Sequence, residues 1–324
     1  LTLQWLSAVE YPMDLFWIDA ASPGKEIQRG GVGAARKMGM DTALQYLKPD
    51  GLLFCLDADT LVGPDYLQRS FQFFRDNPMA AAGVCEFRHQ PAATPVEQAA
   101  IVEYELYMRY YELGLKLAGS PYAYQALGSA IVVPGAAYVK AGGMRAKNGG
   151  EDFYFLQALR KLGPVSSLKD ITVHPAARPS DRVPFGTGPK ICRIADGEHI
   201  AFHHPQVFIA LKKIIEVVKQ YSGSPEKIPE KLDESFFLEN NFPAAWDKII
   251  RNTPAELARV EVAFHIWFDA FRNLKYIHFL EQQFPQLYPP LTMKTAFQEL
   301  FKAFEMIVLL PDSSEDMLEF LRNK

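Results

Sequence analysis

Apolar positions along the chain follow two different periods. Short, nearly unbroken apolar runs occur at Asp14-Leu-Phe-Trp-Ile-Asp19, Gly51-Leu-Leu-Phe-Cys-Leu-Asp57, Ala80-Ala-Ala-Gly-Val-Cys85 and Ser129-Ala-Ile-Val-Val133. They read as buried strands, the first two parallel and joined by a helix. Between the runs, Ala34 to Leu47, Pro64 to Arg75, Val96 to Leu117 and Glu151 to Leu162 keep helical spacing, the last closed by Gly163-Pro164. This alternation implies an α/β sheet. Ligands of such sheets sit at the carboxyl ends of the strands, where Asp19, Asp57 and Asp59 fall. The Pro- and Gly-rich stretch from Arg178 to Lys190 reads as a loop. After about residue 200 the helical period takes over, at Phe208 to Tyr221, Ala255 to Phe284 and Thr295 to Leu309. The expected organisation is a sheet-bearing domain over 1–195 and a helical region over 196–324.

Composition narrows the partners. With 324 residues, 48% of them hydrophobic, the chain can bury a large core. A formal charge of -4 supplies no basic field, so nucleic acid is not expected as a partner. Cys55, Cys85 and Cys192 are odd in number and widely spaced, which suits neither a disulfide framework nor a thiolate zinc site and points to a reducing cytoplasm. No apolar run reaches the ~20 residues that span a bilayer, and the first residues lack the order of a signal peptide. A soluble, cytoplasmic chain is expected, with peripheral contact at the inner face of the membrane and a homodimer both left open.

Two constellations carry candidate chemistry. Leu56-Asp57-Ala58-Asp59 ends a buried run, and two carboxylates leaving a sheet there can bind a divalent cation that neutralises a diphosphate. Aspartates at strand ends also serve simply as acceptors of backbone hydrogen bonds. Gly149-Gly150-Glu151-Asp152 opens a helix: its acids either complement the helix dipole or supply a general base to a sugar hydroxyl.

Together these residues resemble glycosyltransferase family 2. The matching pieces are Trp17-Ile-Asp19, Gly31-Val-Gly-Ala-Ala-Arg36, Leu56-Asp-Ala-Asp59, Gly128-Ser-Ala-Ile-Val-Val133 with Ala141-Gly-Gly-Met144, and Gly149-Gly-Glu-Asp152, in family order over residues 1 to about 190. The resemblance implies a GT-A-type, Rossmann-like mixed sheet flanked by helices. It implies a nucleotide-sugar donor, UDP being the commonest carrier, a carbohydrate or lipid-linked acceptor of the cell-envelope polysaccharide kind, and Mn2+ or Mg2+. Asp19 would contact the base or ribose, Arg36 would lie near the nucleotide, Asp57 would hold the ribose or metal-bound water, and Asp59 would ligate the cation. Asp152 would deprotonate the acceptor and Glu151 would hold it. His174, 22 residues past Asp152, stands where many relatives place a third metal ligand. Arg178 and Arg182 follow in the loop, as a diphosphate clamp or as solvated surface residues.

The chain departs from the family at its start, where relatives have a strand and turn first, and in the ten residues between Asp19 and Gly30, where they have a longer excursion. The expectation is that residues are absent here, since losing a central strand would expose a sheet edge. Gly31 to Arg36 is set aside as a dinucleotide fingerprint because no strand directly precedes it. Tyr104, Tyr107, Tyr110 and Tyr111 are assigned to the core, His203-His204 to structure, and Lys212-Lys213 to a solvated face. A degenerate, scaffold-type family member and an aspartate-nucleophile phosphatase are the competing readings.

Overall fold

The computed structural model describes residues 4, 6, 8, 13–180, 186–232, 234–254 and 256–323. Arg182 lies outside these residues. The protein is a mixed α/β structure built on a five-stranded sheet. Its strands are β1 (Leu52–Cys55), β2 (Leu61–Val62), β3 (Ala82–Phe87), β4 (Ile131–Pro134) and β5 (Val165–His174), in the order β1-β4-β3-β5-β2.

β4 runs antiparallel to both β1 and β3, while β3 and β5 are parallel. β1, β3 and β5 therefore all point the same way, and their carboxyl ends gather on one side. β2 pairs with the last residues of β5, Leu61 facing His174 and Val62 facing Val173. The turn from Asp57 to Thr60, closed by Thr60 N–H on the Asp57 carbonyl at 3.0 Å, thus carries the chain from one edge of the sheet to the other. It passes the ends of β3 and β5 on the way.

Four helices surround the sheet: α1 (Gly31–Ala43), α2 (Tyr66–Asp76), α4 (Gly135–Lys140) and α5 (Glu151–Arg160). The sheet core is dense in small and branched residues, with Ala82, Ala130, Ile131, Val132, Val133, Leu156, Leu159 and Val173 fully buried. α3 (Pro95–Ala118) is the longest helix, 24 residues, or about 36 Å at 1.5 Å per residue. Thr94 and Glu97 form a capping box at its start, and Gly119 ends it in the left-handed conformation. Beyond it lie α6 (Thr187–Ala195), α7 (Gln206–Tyr221), α8 (Ile228–Lys231), α9 (Ser235–Glu239), α10 (Phe242–Arg251), α11 (Leu257–Trp267), α12 (Ala270–Gln283), α13 (Met293–Ala303) and α14 (Ser314–Arg322). Their aromatic core includes Phe202, Phe208, Phe237, Phe242, Trp246, Phe264 and Phe297. Leu106, Tyr110 and Leu115 of α3 belong to the same cluster.

Several sequence expectations are corrected. The run 14–19 forms no strand, and Phe16 and Trp17 are 60% and 48% exposed, Phe16 stacking on Tyr46 at 4.6 Å. An apolar run becomes a strand only where a ladder partner is available, and the described ladder of β1 is with β4. β1 is therefore an edge strand with an antiparallel neighbour, not one of an adjacent parallel pair. The helical pattern of 255–284 is broken in two because Asp269 caps α12, accepting from Arg272 N–H at 3.2 Å. The segment read as helix up to Leu309 stops at Ala303, and Ile307 and Leu309 are fully exposed. Lys190, placed in a loop, belongs to α6. No helix among the described residues is long and apolar enough to cross a membrane.

Candidate functional site

The turn into α1 explains how Arg36 reaches the sheet. Gly33 packs so closely on the chain at 145–147 that a Cβ there would lie 2.7 Å from the Arg145 carbonyl oxygen, and its N–H donates to Lys147 O at 3.1 Å. This contact fixes α1 against the segment leading into α5. One turn later, the Arg36 guanidinium ion-pairs with Glu151, the first residue of α5, and donates to Asp57 Oδ1 at 2.6 Å. Two motifs far apart in sequence thus share one cation. Glu151 is 2% exposed, and its charge is tolerated because the Arg36 guanidinium pairs with it.

Gly128 completes the cradle. A Cβ on it would sit 2.1 Å from Arg36 Nη1, so any side chain there displaces the guanidinium. Gly128→Ala is expected to loosen the Arg36 bridge and lower the melting temperature by a few degrees, measured by differential scanning calorimetry, through partial loss of a buried ion pair. A variant that melts like the parent protein would remove the steric account.

Asp152 stands beside Glu151, with Oδ1 accepting its neighbour Phe153 N–H at 2.7 Å. Burial first, and the adjacent Glu151 charge second, push its carboxyl up to about 6. A carboxylate raised towards neutrality is suited to taking a proton from a hydroxyl. Tyr104, assigned to the core, is close enough for Asp152 to act on its phenol, which burial pushes up to about 12.

Asp59 accepts from Arg178 Nε at 2.7 Å and Nη2 at 2.6 Å, so the loop arginine already grips the second acid of the pair. His174 ends β5 and is half-buried, and its Nδ1 donates to Arg88 O at 3.1 Å. Gln90 was not singled out in the sequence, yet its Nε2 donates to both Asp59 O at 2.8 Å and His174 O at 2.6 Å. It ties the acidic turn to the end of β5. A lone glutamine three residues past a strand gives no pattern to find; only the parallel register of β3 on β5 puts it there.

Asp19 is placed otherwise. It accepts from Ser22 N–H at 3.0 Å and pairs with Lys25 at 3.1 Å, and the Ser22 bond followed by Lys25 holds its carboxyl down at about 2. Its partners are local to the 19–25 turn.

A divalent cation can be tested against this donor set. Among the described residues, no three His, Cys, Asp or Glu side chains converge as a ready ligand group. Magnesium-type sites, however, are commonly built from one or two carboxylates with the remaining oxygens supplied by water and substrate phosphate. The hard oxygens of Asp59 and Asp57, at the exposed end of the sheet, fit that pattern. No protein-family model matches the chain, and no curated protein matches it.

Proposed function

We propose that the protein is a nucleotide-sugar-dependent, inverting glycosyltransferase whose sheet is of the GT-A type. The observation that carries this reading is the Arg36 bridge, which joins Asp57 of the acidic turn to Glu151 beside the raised carboxyl of Asp152. Diphosphate-handling and proton-accepting groups thereby share one site at the carboxyl ends of the strands.

In this reading, Arg36 keeps Glu151 but exchanges Asp57, and Arg178 exchanges Asp59, for phosphate oxygens as the donor enters. Asp59 and Asp57 would hold the cation, which when bound offsets charge on the leaving diphosphate. Asp152 accepts the hydrogen of the acceptor hydroxyl as that oxygen bonds to the anomeric carbon. The bond from that carbon to the diphosphate oxygen breaks in the same step, its electron pair leaving on the diphosphate, so the configuration inverts and no protein nucleophile is required. Glu151, held by Arg36, fixes the start of α5 and with it the position of Asp152.

Calorimetric titration with UDP, GDP and their sugars, with and without manganese, tests the reading. Manganese-dependent binding is expected, weakened at least about tenfold in Asp59→Ala by loss of a charged ligand. Absence of binding by every nucleotide would sink the proposal in favour of a non-catalytic scaffold.

A further inference from the structure

A cavity of about 460 Å³ opens beside His174, between the end of the sheet and α14. That is within the ~300–1,000 Å³ of small-molecule pockets. Part of its lining is apolar, from Leu61, Ile101, Val102 and Leu318, and part is polar, from His89, Gln90, Gln98 and His174. Its charged residues are largely matched among themselves. Arg322 pairs with Glu105 at 2.8 Å and with Glu319 at 2.6 Å, and Arg88 pairs with Glu319 at 2.9 Å. Of the lining charges, Glu315, which is solvent-exposed, has no ion-pair partner among the described residues. An anionic ligand therefore finds no free cation here.

What the cavity does offer is hydrogen-bonding groups left without a partner. The His89 side chain is 1% exposed, and its Nδ1 donates to Glu105 Oε2 at 2.9 Å, since a carboxylate can only accept. Its Nε2 has no partner among the described residues. A buried polar atom without a partner is costly, and natural structures rarely keep one without a reason. Gln90 spends its amide N–H groups on Asp59 and His174, which leaves its carbonyl oxygen over. Gln98 is the converse: its oxygen accepts Ala92 N–H at 2.9 Å, leaving its amide N–H groups over.

We propose that this cavity binds an uncharged, hydroxyl-bearing ligand of the saccharide class, with one ligand hydroxyl hydrogen-bonded to His89 Nε2 and the apolar ring face resting on Ile101 and Leu318. Neutrality follows from the matched charges, and a C–H-rich face from the apolar lining. Hydroxyl groups, which both donate and accept, follow from the unpartnered polar atoms of His89, Gln90 and Gln98. α14 is its outer wall, held by Arg322 on Glu105. The inference concerns binding and stands independently of glycosyl transfer.

The test is NMR of the full chain carrying 15N-histidine, titrated with glucose, N-acetylglucosamine and cellobiose, with inorganic phosphate as the anionic comparison. One of the sugars is expected to shift the His89 Nε2 resonance saturably. Affinity should fall about tenfold in His89→Phe, read on the His174 resonance, and be lost in Leu318→Trp, which fills the space. Leu318→Phe, a smaller intrusion, serves if the tryptophan variant does not fold, and should weaken binding without abolishing the fold. No His89 shift with any of the sugars, a shift with phosphate instead, or undiminished binding in the filled variants would overturn the proposal. Manganese-dependent UDP binding is measured on the same samples: sugar binding without it would sink the transferase reading alone, and the reverse would sink this one alone.

Discussion

Asp152→Asn is expected to lower glycosyl transfer by about 10²–10⁴-fold, the usual contribution of a positioned general base, while manganese-dependent donor binding stays near the parent value. The asparagine retains an oxygen to accept Phe153 N–H, so the start of α5 keeps its geometry. Only the ability to take a proton is removed. The pH profile follows from the same residue: with its carboxyl at about 6, the basic form predominates above that value, and the parent rate should fall as pH drops through it. Stability moves the opposite way. A carboxyl whose folded value is raised stabilises the fold below its ordinary value of 3.8, and that contribution is lost as pH rises through about 6. Asp152→Asn should therefore melt a few degrees higher than the parent near neutrality, and the two should converge below the ordinary carboxylate range. Full transfer activity in the variant, assayed as UDP release, would remove Asp152 from the mechanism.

The largest effect on folding is expected from Glu105→Gln. Glu105 is completely buried and accepts from His89, from Arg109 Nε at 3.1 Å, and from Arg322 Nε and Nη2, both at 2.8 Å. Burial works against its charge, but hydrogen bonds from His89 and Arg322, with Arg109 close by, hold the carboxyl down at about 2. Replacing it by an amide leaves two guanidinium groups facing a neutral oxygen, and breaking a buried pair of this kind costs about 3–5 kcal/mol. Urea unfolding at neutral pH measures it. A depressed carboxyl stabilises above its ordinary value of 4.5, and the contribution is lost as pH falls through about 2. The parent protein should thus lose stability across that acid window, and the variant should show much less of the loss. A midpoint unchanged from the parent would mean that the arginines find other partners at no cost.

Much of the sheet region could be read from residue pattern. The run ending at Asp57 is β1, and the helix read over 96–117 is α3 within a residue or two, because a Thr-Pro-x-Glu start and a glycine stop are local signals that survive packing. Strand neighbours are a different matter. Nothing local tells Ile131–Pro134 to insert between β1 and β3, since pairing is decided by which edges meet in three dimensions. The same limit hid Gln90, whose role exists only because β3 and β5 end side by side. The stretch 14–19 failed for the opposite reason: its apolar pattern is strand-like, but periodicity cannot show whether a ladder partner exists. The acids of the candidate site were visible as types and positions. That Arg36 would hold Asp57 and Glu151 together was not, because a guanidinium on a helix has no periodic signature.

α3 has a consequence for how the chain comes apart. Val102, Leu106, Tyr110 and Leu115 pack with the C-terminal helices, while Arg109 on the same helix donates to the Phe87 carbonyl of β3 at 2.6 Å. Shedding residues 196–324 would strip an apolar face from a helix that the sheet still holds, leaving a surface prone to collapse or aggregation. Melting should accordingly appear as one cooperative transition, with amide protons of α3 among the slowest to exchange.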